Sequence, residues 1–92
     1  MLYLIAYDLI GERKDYEAAE RVIRAASKGK CVRCLKSTWI LRSEIESIHE
    51  MKDLLESFVD SDDQFLVAEI TGKLHGKLPQ EVLTEIRKIQ GR

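Results

Sequence analysis

The chain has 92 residues, of which 45% are hydrophobic and 34% are charged, a balance typical of one soluble globular domain rather than a disordered chain. Fifteen basic and sixteen acidic residues give a net charge of −1, which excludes a strongly basic protein that binds nucleic acid mainly through salt-dependent contacts. No apolar run approaches the ~18 residues of a membrane-spanning helix and no export signal is visible, so we expect a cytoplasmic protein without a membrane partner.

The first part of the chain predicts a central strand followed by a helix. Residues Leu2 to Asp8 are apolar on both alternating sides, which is typical of a strand that is covered on both faces. Asp15 is a suitable N-cap for the next helix, because its carboxylate can accept hydrogen bonds from free backbone N–H groups. Gly29 is a suitable left-handed end for that helix. The apolar stripe between them consists of Tyr16, Ala19, Val22, Ile23 and Ala26.

The middle of the chain predicts a pair of strands and a second helix. Residues 30–42 are too long for one ordinary strand and are interrupted at Lys36-Ser37, so we predict either two strands, Cys31–Leu35 and Thr38–Leu41, or one bent strand. Ser43 and Glu46 have the S-x-x-E spacing of a capping box, which predicts the start of an amphipathic helix. Its apolar positions are Ile45, Ile48, Met51, Leu54, Leu55 and Phe58.

The last part of the chain predicts one more strand and one more helix. The strand covers residues 64–71, and Pro79 suits the first turn of a final helix that ends at Gly91. The order βαββαβ plus an extra helix predicts an α+β fold, a ferredoxin-like sandwich with an antiparallel sheet and helices on one face. We therefore expect a single domain over residues 1–92, with a core of about 2–71 and a C-terminal helix of about 79–90.

The predicted sheet has a second apolar face that needs a cover. In this arrangement the first and third strands lie centrally, and the first strand is apolar on both sides. Large exposed apolar patches mark interaction surfaces. Either the last helix or a second subunit would cover this face.

Asp8 is the sharpest chemical feature of the sequence. A carboxylate that ends an apolar central strand lies at a sheet edge, where a ligand can reach it. It could bind Mg²⁺, which typically uses one or two protein carboxylates and completes its shell with water and phosphate. In a two-fold dimer a single Asp becomes a facing pair. The alternative is that Asp8 only begins the turn before Gly11, and both interpretations stay open.

Basic residues are concentrated between the first helix and the second. No acidic residue lies between Ala26 and Ser43, whereas acids dominate residues 44–63. The basic segment could bind phosphates, contact the acidic patch of a neighbouring copy, or be solvated. Arg13 and Lys14 follow Asp8 and could extend a phosphate-facing rim. The basic residues of the segment are Lys28, Lys30, Arg33, Lys36 and Arg42.

Two cysteines and one tryptophan also invite a chemical interpretation. Cys31 and Cys34 have the spacing of half a zinc site, but residues three apart on a strand point to opposite faces. We interpret them as small hydrophobic residues. Trp39, on an apolar strand, is interpreted as a core or interface residue rather than a platform for base stacking.

Three segments together resemble a known group of proteins. They are Tyr3–Leu9 (YLIAYDL), Lys36–Ile40 (KSTWI) and Asp60–Asp63 (DSDD) before a strand. The pattern resembles the small ferredoxin-like proteins grouped with the CRISPR-associated Cas-two endonucleases and the virulence-associated protein D toxins. It is most similar to the stand-alone branch called the SinR family, and the resemblance covers about residues 2–71.

The resemblance implies a homodimer packed through its sheets. In nuclease members of the group, an Asp at the end of the first strand holds a divalent metal at the dimer interface, and Asp8 matches that position. A Ser before an apolar or aromatic residue lies on a later strand, and Ser37 with Trp39 is similar. Members of the CRISPR branch carry more basic residues after the first strand than Arg13 and Lys14 provide, and they act with an integrase.

Two functions are consistent with these residues. The first is a Mg²⁺-dependent endonuclease acting on RNA or DNA as a homodimer, with Asp8 as metal ligand and catalytic residue. The second is a catalytically silent dimeric module for interaction or regulation, which would bind a protein through the acidic helix. The residues assigned to nucleic-acid binding in the first are Arg13, Lys14, Lys30, Arg33, Lys36 and Ser37.

Overall fold

The computed structural model describes residues 1–10 and 15–91, and these form a small α+β domain with a four-stranded antiparallel sheet and three helices. A 3₁₀ turn, Glu56–Phe58, follows the second helix directly. The elements in chain order are β1 (Leu2–Asp8), α1 (Tyr16–Ser27), β2 (Cys31–Leu35), β3 (Thr38–Arg42), α2 (Ile48–Leu55), β4 (Gln64–Glu69) and α3 (Gln80–Gln90).

The sheet has the order β2-β3-β1-β4, so β1 and β3 are its central strands, as predicted. Ile5 of β1 lies opposite Trp39 of β3 and Val67 of β4. Directly opposed residues of antiparallel strands project to the same side of a sheet. We call the side of Tyr3, Ile5 and Tyr7 the proximal face, and the side of Leu2, Leu4, Ala6 and Asp8 the distal face.

The proximal face carries the main hydrophobic core, against α1 and α2. Tyr3 and Ile5 are fully buried there, and each aromatic polar group in this core has a partner. The Trp39 indole N–H donates to the Tyr7 hydroxyl at 3.1 Å, and the Tyr3 hydroxyl donates to the Ile45 carbonyl at 2.7 Å. These bonds remove the cost of burying polar atoms in an apolar core.

The distal face is covered by α3 over only half of its width. Ile86 and Ile89 of α3 pack against Leu2 and Ile40. Arg42 of β3 donates from Nε to the Ile89 carbonyl at 2.6 Å and from Nη2 to the Gln90 carbonyl at 3.1 Å. Carbonyls at a helix C-terminus lack intrahelical partners and carry partial negative charge, so a guanidinium is a favourable partner for them.

The start of α2 differs from the expected position. The predicted capping box at Ser43 and Glu46 is wrong, because α2 begins after Ser47, whose hydroxyl accepts from the Glu50 backbone N–H at 3.4 Å. The S-x-x-E spacing recurs there, four residues later. Ser43 is buried instead, and its hydroxyl donates to the Ala26 carbonyl at 2.7 Å. Ser43, the first candidate N-cap, therefore makes a tertiary contact to α1 and does not cap α2.

The other helix ends agree closely with the sequence patterns. The Asp15 carboxylate accepts from the Ala18 backbone N–H at 2.9 Å and caps α1, as predicted. At the other end, Lys28 and Gly29 both have positive φ, of 53° and 85°, so the left-handed turn begins one residue before the glycine. None of the helices within residues 1–10 and 15–91 is long and apolar enough to cross a bilayer.

The packing of α3 on the distal face can be tested by stability. We expect Ile86→Ala to lower the free energy of unfolding by about 2–4 kcal/mol, because the buried side chain leaves a cavity against the sheet. Thr84→Ala, on the exposed side of the same helix, should change it by less than about 0.5 kcal/mol. Urea denaturation of both variants measures the difference, and equal effects would contradict the packing described.

Candidate metal and nucleic-acid site

Asp8 lies at the end of the central strand, and its side chain is exposed. It is the last residue of β1 and lies opposite Gln64, the first residue of β4. By the alternation of side chains along a strand, Asp8 is on the distal face together with Ala6. The carboxylate is therefore accessible from the side of the sheet that α1 and α2 do not cover.

The turn between β2 and β3 lies beside this end of β1. The Tyr7 backbone N–H donates to the Ser37 carbonyl at 3.0 Å, which fixes the turn next to Asp8 in the sheet. Lys36 precedes Ser37 in the same turn and is exposed. The fold thus brings Asp8 and the distant pair Lys36-Ser37 to the same end of the sheet.

The other predicted binding residues lie elsewhere. Arg33 is opposite Trp39 and therefore on the proximal face, where its Cζ lies 6.0 Å from the centre of the indole ring. Lys30 precedes β2, and its carbonyl accepts from the Arg42 backbone N–H at 3.0 Å, at the end of the sheet away from Asp8. Arg13 and Lys14 lie outside the described residues.

The carboxylate of Asp8 is the one predicted metal ligand in this arrangement. Within residues 1–10 and 15–91, no group of three or more His, Cys, Asp or Glu side chains is placed to hold a metal ion. Mg²⁺ commonly uses one or two carboxylates and keeps several waters. The exposed carboxylate of Asp8 could serve as one such ligand.

Asp63 anchors the backbone that follows Asp8, a role that sequence reasoning did not assign. Its Oδ1 accepts from the Ile10 backbone N–H at 2.8 Å, and its Oδ2 accepts from the Asp60 backbone N–H at 2.8 Å. Leu9, between Asp8 and Ile10, is buried. The segment Asp60–Asp63 before β4 therefore holds the chain that follows β1. The available signal was the tendency of Asp side chains in turns to bond nearby backbone groups.

The two cysteines lie on opposite faces of the sheet, as their spacing predicted. Cys31 packs against the proximal core and Cys34 against the distal one. The Cys34 thiol donates to the Thr38 carbonyl at 3.4 Å. Burial raises the pKa of this thiol, and backbone hydrogen bonds partly oppose the rise. Trp39 is 2% exposed, which confirms its interpretation as a core residue.

The clamp formed by Asp63 should contribute to stability. We expect Asp63→Ala to lower the free energy of unfolding by about 1–3 kcal/mol, because two backbone N–H groups lose a charged acceptor. Asp62→Ala is the matched control, since that neighbouring carboxylate is exposed, and it should be nearly neutral. Chemical denaturation compares the two variants, and a neutral Asp63→Ala would show that the clamp is dispensable.

The raised pKa of Cys34 predicts a slow reaction near neutral pH. Because the thiolate is the reactive form, alkylation of Cys34 should reach half of its maximal rate at a higher pH in the folded protein than in the urea-unfolded protein. Limited access alone would slow the reaction without moving this midpoint. Iodoacetamide labelling of a Cys31→Ser variant across a pH series measures it, and coincident midpoints would refute the prediction.

No protein-family model matches the chain, and no curated protein matches it either. The resemblance given above therefore depends on the quoted residues of β1, of the β2–β3 turn with β3, and of the turn before β4.

Proposed function

We propose that the chain is a ferredoxin-like protein that acts as a homodimeric, Mg²⁺-dependent endonuclease on RNA or DNA. The observation that carries the proposal is the position of Asp8. It is an exposed carboxylate at the end of a central strand, on the sheet face that the helices leave half open. A ligand and a second subunit can reach it from the same side.

The ferredoxin-like assignment is supported by the order and pairing of the elements. The first six elements follow the order βαββαβ, and the first and third strands are central in an antiparallel sheet. The helix α3 is an addition to this unit. The resemblance to the Cas-two and virulence-associated protein D group rests on residues within the unit, which is consistent with this assignment.

The homodimer is supported by the uncovered half of the distal face. Leu66 of β4 is 65% exposed, and its register partner Ala6 lies beside it on β1. Leu4 and Ala68 extend the same apolar strip and are half-buried. Asp8 is on this face too, so a two-fold axis through the strip would bring two Asp8 carboxylates toward each other.

Asp8, Lys36 and Ser37, at this end of the sheet, have complementary roles in the proposed reaction. When bound, Mg²⁺ would supply charge that polarises the scissile phosphodiester. The Asp8 carboxylates of the two subunits would hold the cation. The Lys36 ammonium and the Ser37 hydroxyl, in the adjacent turn, would bind phosphate oxygens and orient the backbone of the nucleic acid.

The exposed surface of α2 favours a second candidate function. Glu50, Asp53 and Glu56 are exposed on and just after this helix, and Lys52 is paired with Glu56 at 2.7 Å. A dimer without catalytic activity could present two such acidic surfaces to a basic protein partner. This module would share the fold and the dimer but would not need Asp8.

Asp8→Asn separates the two functions. We expect metal-dependent cleavage of RNA or DNA by the purified protein to fall at least about 100-fold, because the amide loses the charge that holds the cation. Asp62→Asn, an exposed carboxylate in another loop, should cleave like the wild type. The assay uses single- and double-stranded substrates with Mg²⁺ or Mn²⁺, and sedimentation checks that both variants have the same oligomeric state as the wild type.

The other possible outcomes of this experiment distinguish the nuclease from the silent module. Cleavage that is equal in wild type and Asp8→Asn would place the activity elsewhere or in a contaminant. A stable dimer without cleavage under any of these conditions would overturn the nuclease and favour the silent module. A monomer at micromolar concentration would contradict both functions.

A further inference from the structure

A groove of about 620 Å³ lies on the distal face, between the sheet and α3. Its floor is formed by β1, β2 and β3, and its walls are α3 and the chain segment 73–78. The volume is in the range of small-molecule sites, about 300–1,000 Å³. The apolar and thiol side chains that line it are Leu4, Cys34, Leu35, Ile40, Leu74, Leu78, Leu83 and Ile86.

The charged side chains that line this groove are basic in the part of the chain that the structure describes. Lys73, Lys77 and Arg87 line it together with His75, and no Asp or Glu among the described residues does. Within residues 1–10 and 15–91, none of these three cations forms an ion pair. The groove therefore combines an apolar interior with a basic rim, and this combination favours an anion with a large apolar body.

The chemistry of the lining narrows the choice of ligand. The lining contains aliphatic side chains but no Phe, Tyr or Trp, so it lacks the stacking platforms that recognise nucleobases. Flexible aliphatic chains need no such platform and gain affinity from apolar contact alone. A carboxylate is also a good partner for lysine and arginine side chains.

We propose that this groove binds a free medium- or long-chain carboxylate, with its acyl chain against Ile40 and Ile86 and its carboxylate at Lys77 and Arg87. The site is separate from the proposed nuclease centre, because Asp8 does not line it. It also occupies the β2–β3 half of the distal face, whereas the proposed dimer strip occupies the β1–β4 half. Leu4 borders both regions.

Calorimetry with monomeric decanoate tests the proposal on the full chain. We expect one molecule per chain, and each added methylene in the series octanoate, decanoate and dodecanoate should tighten binding by up to about fourfold. Decanol, which has the same chain without the charge, should bind at least about tenfold more weakly.

Two further measurements localise the site. In a Cys31→Ser variant, decanoate should slow the alkylation of Cys34, whose side chain lines the groove. The double variant Lys77→Glu, Arg87→Glu should bind decanoate about tenfold more weakly or worse while binding decanol unchanged. The double variant Arg21→Glu, Lys52→Glu, at exposed positions outside the groove, makes the same change in net charge and should bind decanoate like the wild type.

Several results would overturn the proposal. Equal affinity for decanoate and decanol would reduce the groove to a nonspecific apolar surface. Binding without protection of Cys34 would place the ligand elsewhere. Absence of binding by the wild-type protein, or loss of binding on dimer formation in sedimentation experiments, would show that the groove is not a ligand site. The chain-length series in the wild type does not depend on the folding of any variant.

Discussion

The architecture depends on the burial of β1 from both sides. Tyr3 and Ile5 are fully buried on the proximal face, and Leu2 is buried on the distal one. A strand that is apolar on both sides must lie inside a sheet, because an edge position would leave its backbone groups and one row of side chains in water. β3 and β4 pair with the backbone of β1, α1 and α2 cover its proximal row of side chains, and α3 covers part of its distal row.

The burial of β1 also determines how the carboxylate of Asp8 is presented at the end of the strand. Burial holds the strand rigidly up to Tyr7, whose hydroxyl accepts from Trp39, and the next residue, Asp8, is exposed. Beyond it, Leu9 is buried again and Asp63 holds the Ile10 backbone. The backbone on both sides of Asp8 is thus held by tertiary contacts, an arrangement that favours a preorganised binding group.

The incomplete cover of the distal face produces two different surfaces. Arg42 ties the end of α3 to β3, so the helix lies over the β2–β3 half of the sheet. On that half, α3 and the segment 73–78 enclose the groove with the basic rim. On the other half, Leu66 remains exposed beside Ala6. The two hydrogen bonds of Arg42 and the apolar packing of α3 therefore place the groove on one half of the distal face and the proposed dimer strip on the other.

Local sequence patterns were sufficient to predict most of the strands and helices of this protein. The alternation in Leu2–Asp8, the break at Lys36-Ser37 and the Asp15 cap predicted their elements because each depends on neighbouring residues alone. The position of Asp8 at a strand end followed from the same pattern. Pro79 and Gly91 likewise marked the two ends of α3, because both residues favour helix ends for local backbone reasons.

Tertiary contacts decided what local patterns left open. Two S-x-x-E spacings competed for the start of α2, and the bond from Ser43 to Ala26 settled the choice for Ser47. Lys30 and Lys36 are close in sequence but lie at opposite ends of β2, because an extended strand separates its ends by about 3.3 Å per residue. The groove likewise exists only where α3 docks, and no sequence spacing specifies which half of a sheet a helix covers.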